Sequence, residues 1–138
     1  MNRVVVCAIG NPYRGDDGAG IEVAKLLEPK YTVLYCEANP ENYIDDIKKL
    51  RPEKLIIVDA ADFLGSPGEF KKISPEEMDR HTISTHTLPV SLFVELIKDY
   101  CKEIEVWGIQ AKDTGFGQYL SPEVKDGIKK LVKLLSGK

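Results

Sequence analysis

The spacing of apolar residues changes period several times along the chain, and each change marks an element. Val4 to Ile9 (VVVCAI) is an unbroken apolar run rich in β-branched residues, closed by Gly10-Asn11-Pro12. A strand with one wet face alternates; a continuous run predicts a strand covered on both faces, as in a parallel sheet. Leu55 to Val58 repeats the pattern and ends on Asp59, while Tyr31 to Cys36 and Ile104 to Ile109 read as two further strands. Between them the period turns helical. A helix is predicted from about Asp16 to Glu28, with two acids at its start, where the helix dipole favours them. Glu41 to Arg51 carries Ile44, Ile47 and Leu50 on one side. Pro89 to Cys101 is the clearest amphipathic helix, and Ser121-Pro122 opens a C-terminal one with Val124, Ile128, Leu131, Val132 and Leu135 on a single face.

Gly68 to Ile73 is short and more polar. Only the stretch from Ala60 to Pro67 separates it from the strand before, too little for a parallel crossover of about a dozen residues, so it is expected as an antiparallel edge strand. Ser74-Pro75-Glu76-Glu77 has capping-box spacing and predicts one helical turn. Strands alternating with helices define an α/β fold. The expectation is a single three-layer αβα domain over residues 1–138, with a mostly parallel five-stranded sheet and one antiparallel edge strand. The strand order common in such sheets, 2-1-3-4-5, reverses its winding between strands one and three. Ligands bind beyond the C-terminal strand ends at that reversal.

Composition narrows the function classes. The 138 residues include 19 basic and 22 acidic ones, a formal net charge of −3, with 43% hydrophobic residues. That balance lacks the basic patch of a nucleic-acid binder and is too apolar for a disordered chain. Cys7, Cys36 and Cys101 are widely spaced without a C-x-x-C pair, which excludes a zinc ribbon and reads as reduced thiols; Cys36 stands out by its place at a strand end. No segment approaches the ~18 apolar residues that would cross a bilayer. Val4 to Ile9 runs into Gly10-Asn11-Pro12 where a secretory leader would offer a cleavage site, so a soluble cytoplasmic protein without membrane insertion is expected.

Chemistry concentrates in three places. The loop Gly10 to Gly20 (GNPYRGDDGAG) combines glycines with adjacent carboxylates, Asp59 ends the third strand, and His86 lies in Ser84-Thr85-His86-Thr87, just ahead of a helix. The winding reversal would bring Asp17, Asp59 and His86 to one polar rim. Two carboxylates and an imidazole suit a divalent first-row metal, with affinity rising through nickel and copper. Three protein donors leave coordination positions open, as chemistry or recognition requires. Each residue also has a plain structural reading. Asp16 and Asp17 would serve as helix-capping acids, Asp59 as the cap of the turn before Ala60-Ala61-Asp62, and His86 as a solvated loop histidine. His81 and Asp62 read as structural. On residue types alone both readings stand, and truncation at a polar rim would leave stability within about 0.5 kcal/mol if no buried cap is lost.

These same motifs, in order, resemble the maturation endopeptidases of nickel–iron hydrogenases. Gly10-Asn11 followed by Asp16-Asp17-Gly18-Ala19-Gly20 is similar to their opening motif. Asn39-Pro40-Glu41-Asn42, Leu55-Ile56-Ile57-Val58-Asp59-Ala60, Ser84-Thr85-His86-Thr87-Leu88-Pro89 and Gly108-Ile109-Gln110 match in sequence order, with detail nearest the branch that processes hydrogenase-3-type large subunits. Ala111 stands where the family commonly has proline, and Asp17 where it often has glutamate.

The resemblance implies an aspartyl-type hydrolase that removes the C-terminal extension of a large-subunit precursor after nickel loading. The catalytic and metal-contacting residues it implies are Asp17, Asp59 and His86. Nickel would be supplied by the precursor and used for recognition, and the implied partner is that precursor. Two rival readings stand beside it. A non-catalytic nickel-dependent assembly factor would use the same three ligands. A peptidyl-tRNA hydrolase also places Gly-Asn-Pro after its first strand, but acids at this mouth and a net charge of −3 suit tRNA poorly.

Overall fold

The computed structural model describes residues 3–83 and 88–137. Five strands form one sheet: β1 (Val4–Ile9), β2 (Thr32–Glu37), β3 (Lys54–Ala61), β4 (Phe70–Ile73) and β5 (Glu103–Gln110), in the order β2-β1-β3-β5-β4. β1, β2, β3 and β5 pair in parallel, and β4 runs antiparallel along β5. Helices cover both faces, so the α/β architecture with one antiparallel edge strand is as the hydrophobic pattern predicts. The last two strands exchange places relative to the order 2-1-3-4-5. Only the connection through α4 (Val90–Ile97) is long enough to return a parallel strand beside β3, and the short β4 pairs on its far side. The winding still reverses between β1 and β3.

Strand alternation divides the core between the faces. Val6, Ala8, Ile56 and Val58 point to one side, where Ala24 and Leu27 of α1 (Ala19–Leu27) and Ile128 and Leu131 of α5 (Pro122–Leu135) meet them. Val5, Cys7, Ile9, Leu55 and Ile57 point to the other, against Ile47 of α2 (Ile44–Leu50), Met78 of α3 (Pro75–His81), and Phe93 and Ile97 of α4. Each fully buried side chain of this size contributes about 1.5–3 kcal/mol relative to exposure. α1 lies close on the sheet because residue 20 has no side chain. A Cβ there would stand 2.5 Å from the Val58 carbonyl oxygen and 2.8 Å from that of Ile9.

Element bounds shift in ways that matter for the site. The first helix does not start at Asp16; Gly15–Gly18 forms a 3-10 turn and the α-helix begins at Ala19. α3 is seven residues long, more than the single turn expected, and the Ser74 hydroxyl caps it by accepting from the Glu77 N–H at 3.1 Å. β3 runs on past Val58 to Ala61, so Asp59 is a strand residue.

Candidate active site

β1 and β3, the central pair, end against the loop that follows β1. Gly10 closes β1 at φ +134°, a conformation open to glycine. A Cβ at Gly10 would lie 2.2 Å from the Asp17 carbonyl oxygen and 3.6 Å from Asp59 Oδ1. The end of β1 therefore packs against the backbone of one acid and the carboxylate of the other, with no room for a side chain. Both acids are buried, Asp17 with 1% and Asp59 with 0% of their surface exposed. The Asn11 N–H donates to Asp17 Oδ2 at 3.1 Å, so the carboxylate turns back over the loop.

Two expectations are corrected here. The acids do not sit on an exposed polar rim, because the 10–20 loop folds over the strand ends and β3 continues beyond Asp59. The alternative of Asp59 as a turn cap also falls, since Ala60 and Ala61 still pair with Ile109 and Gln110 of β5. His86 lies outside the described residues. Among the described residues no group of three or more His, Cys, Asp or Glu side chains gathers as a metal cage.

Asp16 does something the pattern missed. Fully buried, it caps no helix and reaches across to the segment after β5. Its Oδ2 accepts from the N–H groups of Lys112 and Asp113 at 2.9 Å each and from Ser121 Oγ at 2.7 Å, and its Oδ1 accepts from the Ser121 N–H at 2.7 Å. The Asp16 N–H donates to the Asp113 carbonyl at 2.8 Å. One carboxylate thus binds the 112–121 segment to the 3-10 turn that carries Asp17.

A second clamp was visible only as a motif residue. Gln110, at the end of β5, accepts on Oε1 from the N–H groups of Phe63 (2.9 Å) and Gly65 (3.0 Å). Its Nε2 donates to Asp62 Oδ1 at 3.2 Å and to the Ala111 carbonyl at 2.9 Å. Asp62 ends a turn, as expected, accepting also from Leu64 N–H at 3.1 Å. His81 is structural too. Its carbonyl accepts from Asp62 N–H at 2.9 Å, and its ring stands edge-on to Phe63.

Electrostatics reach below the acids. Cys7 shares the β1–β3 ladder with Ile57, two residues before Asp59. Burial first, then its contact with Cys36 and the Asp59 charge, hold the Cys7 thiol well above the usual thiol range. At the opposite edge of the sheet a cavity of about 470 Å³ is lined by Arg3, Lys30 and Arg51. Its cations are engaged: Arg3 with the Leu50 carbonyl, Lys30 with that of Ser136, and Arg51 over the Tyr100 ring.

Comparison with known proteins decides the family. The family described as hydrogenase maturation protease matches residues 21–138. The chain belongs to the hydrogenase maturation protease family. Hydrogenase 3 maturation protease of Escherichia coli K12 is 34% identical over 142 residues, covering 99% of this chain and 90% of that protein. The solution structure of the E. coli endopeptidase HycI superposes with a TM-score of 0.86 at 31% identity, covering 98% of this chain and 90% of that one. HycI from Thermococcus kodakarensis gives 0.84 at 33% identity, with 98% and 90% covered. Membership makes the chain a hydrolase and sets aside the peptidyl-tRNA hydrolase reading.

Proposed function

We propose that this hydrogenase maturation protease is an endopeptidase that removes the C-terminal extension of a nickel-loaded hydrogenase large-subunit precursor, with Asp17, Asp59 and His86 as its working residues. The observation that supports the reading is the burial of Asp17 and Asp59 at the winding reversal of the sheet, where Gly10 packs against the backbone of the first and the carboxylate of the second. Deprotonated carboxylates and a neutral imidazole are suitable donors to a nickel ion that arrives bound to the precursor. A site that completes a metal's coordination without holding the metal itself makes cleavage conditional on loading. It also fixes the scissile peptide relative to the protein, which lowers the entropic part of the barrier.

Water is the nucleophile in this reading. Cys7 and Cys36 face the apolar cluster below the acids, and the Cys7 thiol is held protonated. A carboxylate accepts the proton of the attacking water, a contribution typically worth about 10²–10⁴ in rate. That is the sense in which the enzyme is aspartyl-type.

The test uses purified protein with nickel-loaded and nickel-free precursor, following tail release by mass. Release from the loaded precursor alone is expected. Asp17→Ala, Asp59→Ala and His86→Ala are each expected to abolish it while the circular dichroism spectrum stays native. Tight association without release would favour the assembly-factor reading, and full activity in any of the three variants would remove that residue from the site.

A further inference from the structure

Beneath the two acids lies a pair of groups that the proposed cleavage does not use. Cys7 and Cys36 are both free cysteines, with 0% and 2% of their surface exposed. Their sulfurs stand 2.7 Å apart although 29 positions separate them in the chain. They sit on neighbouring parallel strands, and the register explains the approach. Cys7 pairs with Leu34 and Ala8 with Tyr35, but Ile9 pairs with Glu37, so Cys36 is the extra residue of an irregularity in β2. Such a bulge re-aims the side chain it carries, and here it leans toward Cys7. Both thiols belong to the face that also holds Ile57, and by strand alternation Asp59 shares that face.

We propose that Cys7 and Cys36 form an oxidisable pair, in which a hydroperoxide closes a disulfide between β1 and β2 beneath Asp59 and a thiol reductant reopens it. In the first step the Cys36 sulfur, at the strand end the oxidant reaches, attacks a peroxide oxygen as thiolate. The O–O bond breaks, a sulfenic acid forms, and the other oxygen leaves as water with the proton the thiol gave up. In the second step the other thiol attacks the sulfenic sulfur, the S–S bond forms and a second water departs. Two thiols lose two electrons and two hydrogens, and the peroxide gains both. β2 is an outer strand, and Cys36 is next to its last residue. Fraying of that strand end admits a water-sized oxidant without opening the sheet. Cys101, beyond α4 and half-buried, has no part in the bond and serves as an internal reference.

The experiment treats the full chain with hydrogen peroxide, unfolds it in an alkylating reagent, and maps the digested peptides by mass. A peptide pair linked through Cys7 and Cys36, about 2 Da lighter than the sum of its parts, is expected, with Cys101 not bridged to either. Dithiothreitol should restore alkylation at both positions. The link is expected to survive Cys101→Ala and to vanish in Cys7→Ala, with Cys36 then captured by a sulfenic-acid probe. Cys7 and Cys36 both remaining alkylatable at peroxide levels that oxidise Cys101 would overturn the proposal, as would a bridge from either one to Cys101 or to a second molecule. The readout is a covalent map and not cleavage, so its failure leaves the proposed function untouched, and failed tail release leaves the bridge intact.

Discussion

The floor and the wall of the site are built from the same kind of residue used in opposite ways. The floor is Asp17 over the end of β1 and Asp59 within β3, two buried acids that approach Gly10 by the backbone of the first and the carboxylate of the second. The wall is Asp16, equally buried, its oxygens taken by four donors of the 112–121 segment. A carboxylate surrounded by backbone N–H groups is held in place and is structural. Asp17 instead accepts locally, from the Asn11 N–H of its own loop. Adjacent acids in a loop are therefore not a functional pair by virtue of adjacency. What separates them is which donors the fold brings to each.

The largest effect expected from this contrast is on activity. Asp17→Asn should lower tail release by about 10²–10⁴-fold with a thermal midpoint within a few degrees of the wild type. Asp16→Ala should do the reverse in stability. Three backbone N–H groups and a hydroxyl lose their acceptor, a loss of about 3–5 kcal/mol, read as a fall of roughly 10–17 °C in Tm. A midpoint unchanged in Asp16→Ala would erase the distinction between wall and floor.

Gln110→Ala sharpens the comparison at the next level. It frees the Phe63 and Gly65 amides, and about 2 kcal/mol of local stability should go with them. Hydrogen exchange at those two amides should speed up more than tenfold, while the Lys112 and Asp113 amides held by Asp16 keep their protection. Equal loss at both places would show one clamp where the geometry shows two.

The smallest effect lies away from both regions. Glu105 on β5 meets Lys54 at 3.1 Å, Lys72 at 3.7 Å and the Trp107 indole N–H at 3.0 Å. Burial alone would raise its pKa, but the indole donor and the two ammonium groups outweigh it and hold it below its ordinary value of 4.5. A lowered folded value means this stabilisation is complete above pH 4.5 and fades as pH falls through the folded pKa. Glu105→Gln should cost about 1 kcal/mol near neutral pH and flatten the acid side of the stability–pH curve, with tail release unaffected.

Much of the architecture was legible because it depends on local pattern. The unbroken runs at Val4 and Leu55 announced central parallel strands, and the short connection before Phe70 announced an antiparallel edge. The winding rule pointed to the loop after strand one and the end of strand three, and the structure does bring Gly10 of that loop against Asp59. The role of Asp16 could not be seen, since its acceptors' donors come from residues 112, 113 and 121, about a hundred positions away. The Cys7–Cys36 approach was hidden for the same reason, with the added need for an irregularity in register that no periodicity reports.

The amino-acid order by itself therefore determined the sequence of strands and helices, the face each strand residue turns to, and the candidate acids with their family likeness. Those follow from the two-residue and 3.6-residue repeats and from short motifs, which are properties of neighbours along the chain. The tertiary structure alone decided that Asp16 holds the 112–121 segment while Asp17 accepts from its own loop, how deeply the acids lie, and which two thiols touch. These depend on hydrogen-bond donors, burial and register supplied by segments far away in sequence, and only the folded chain brings them together.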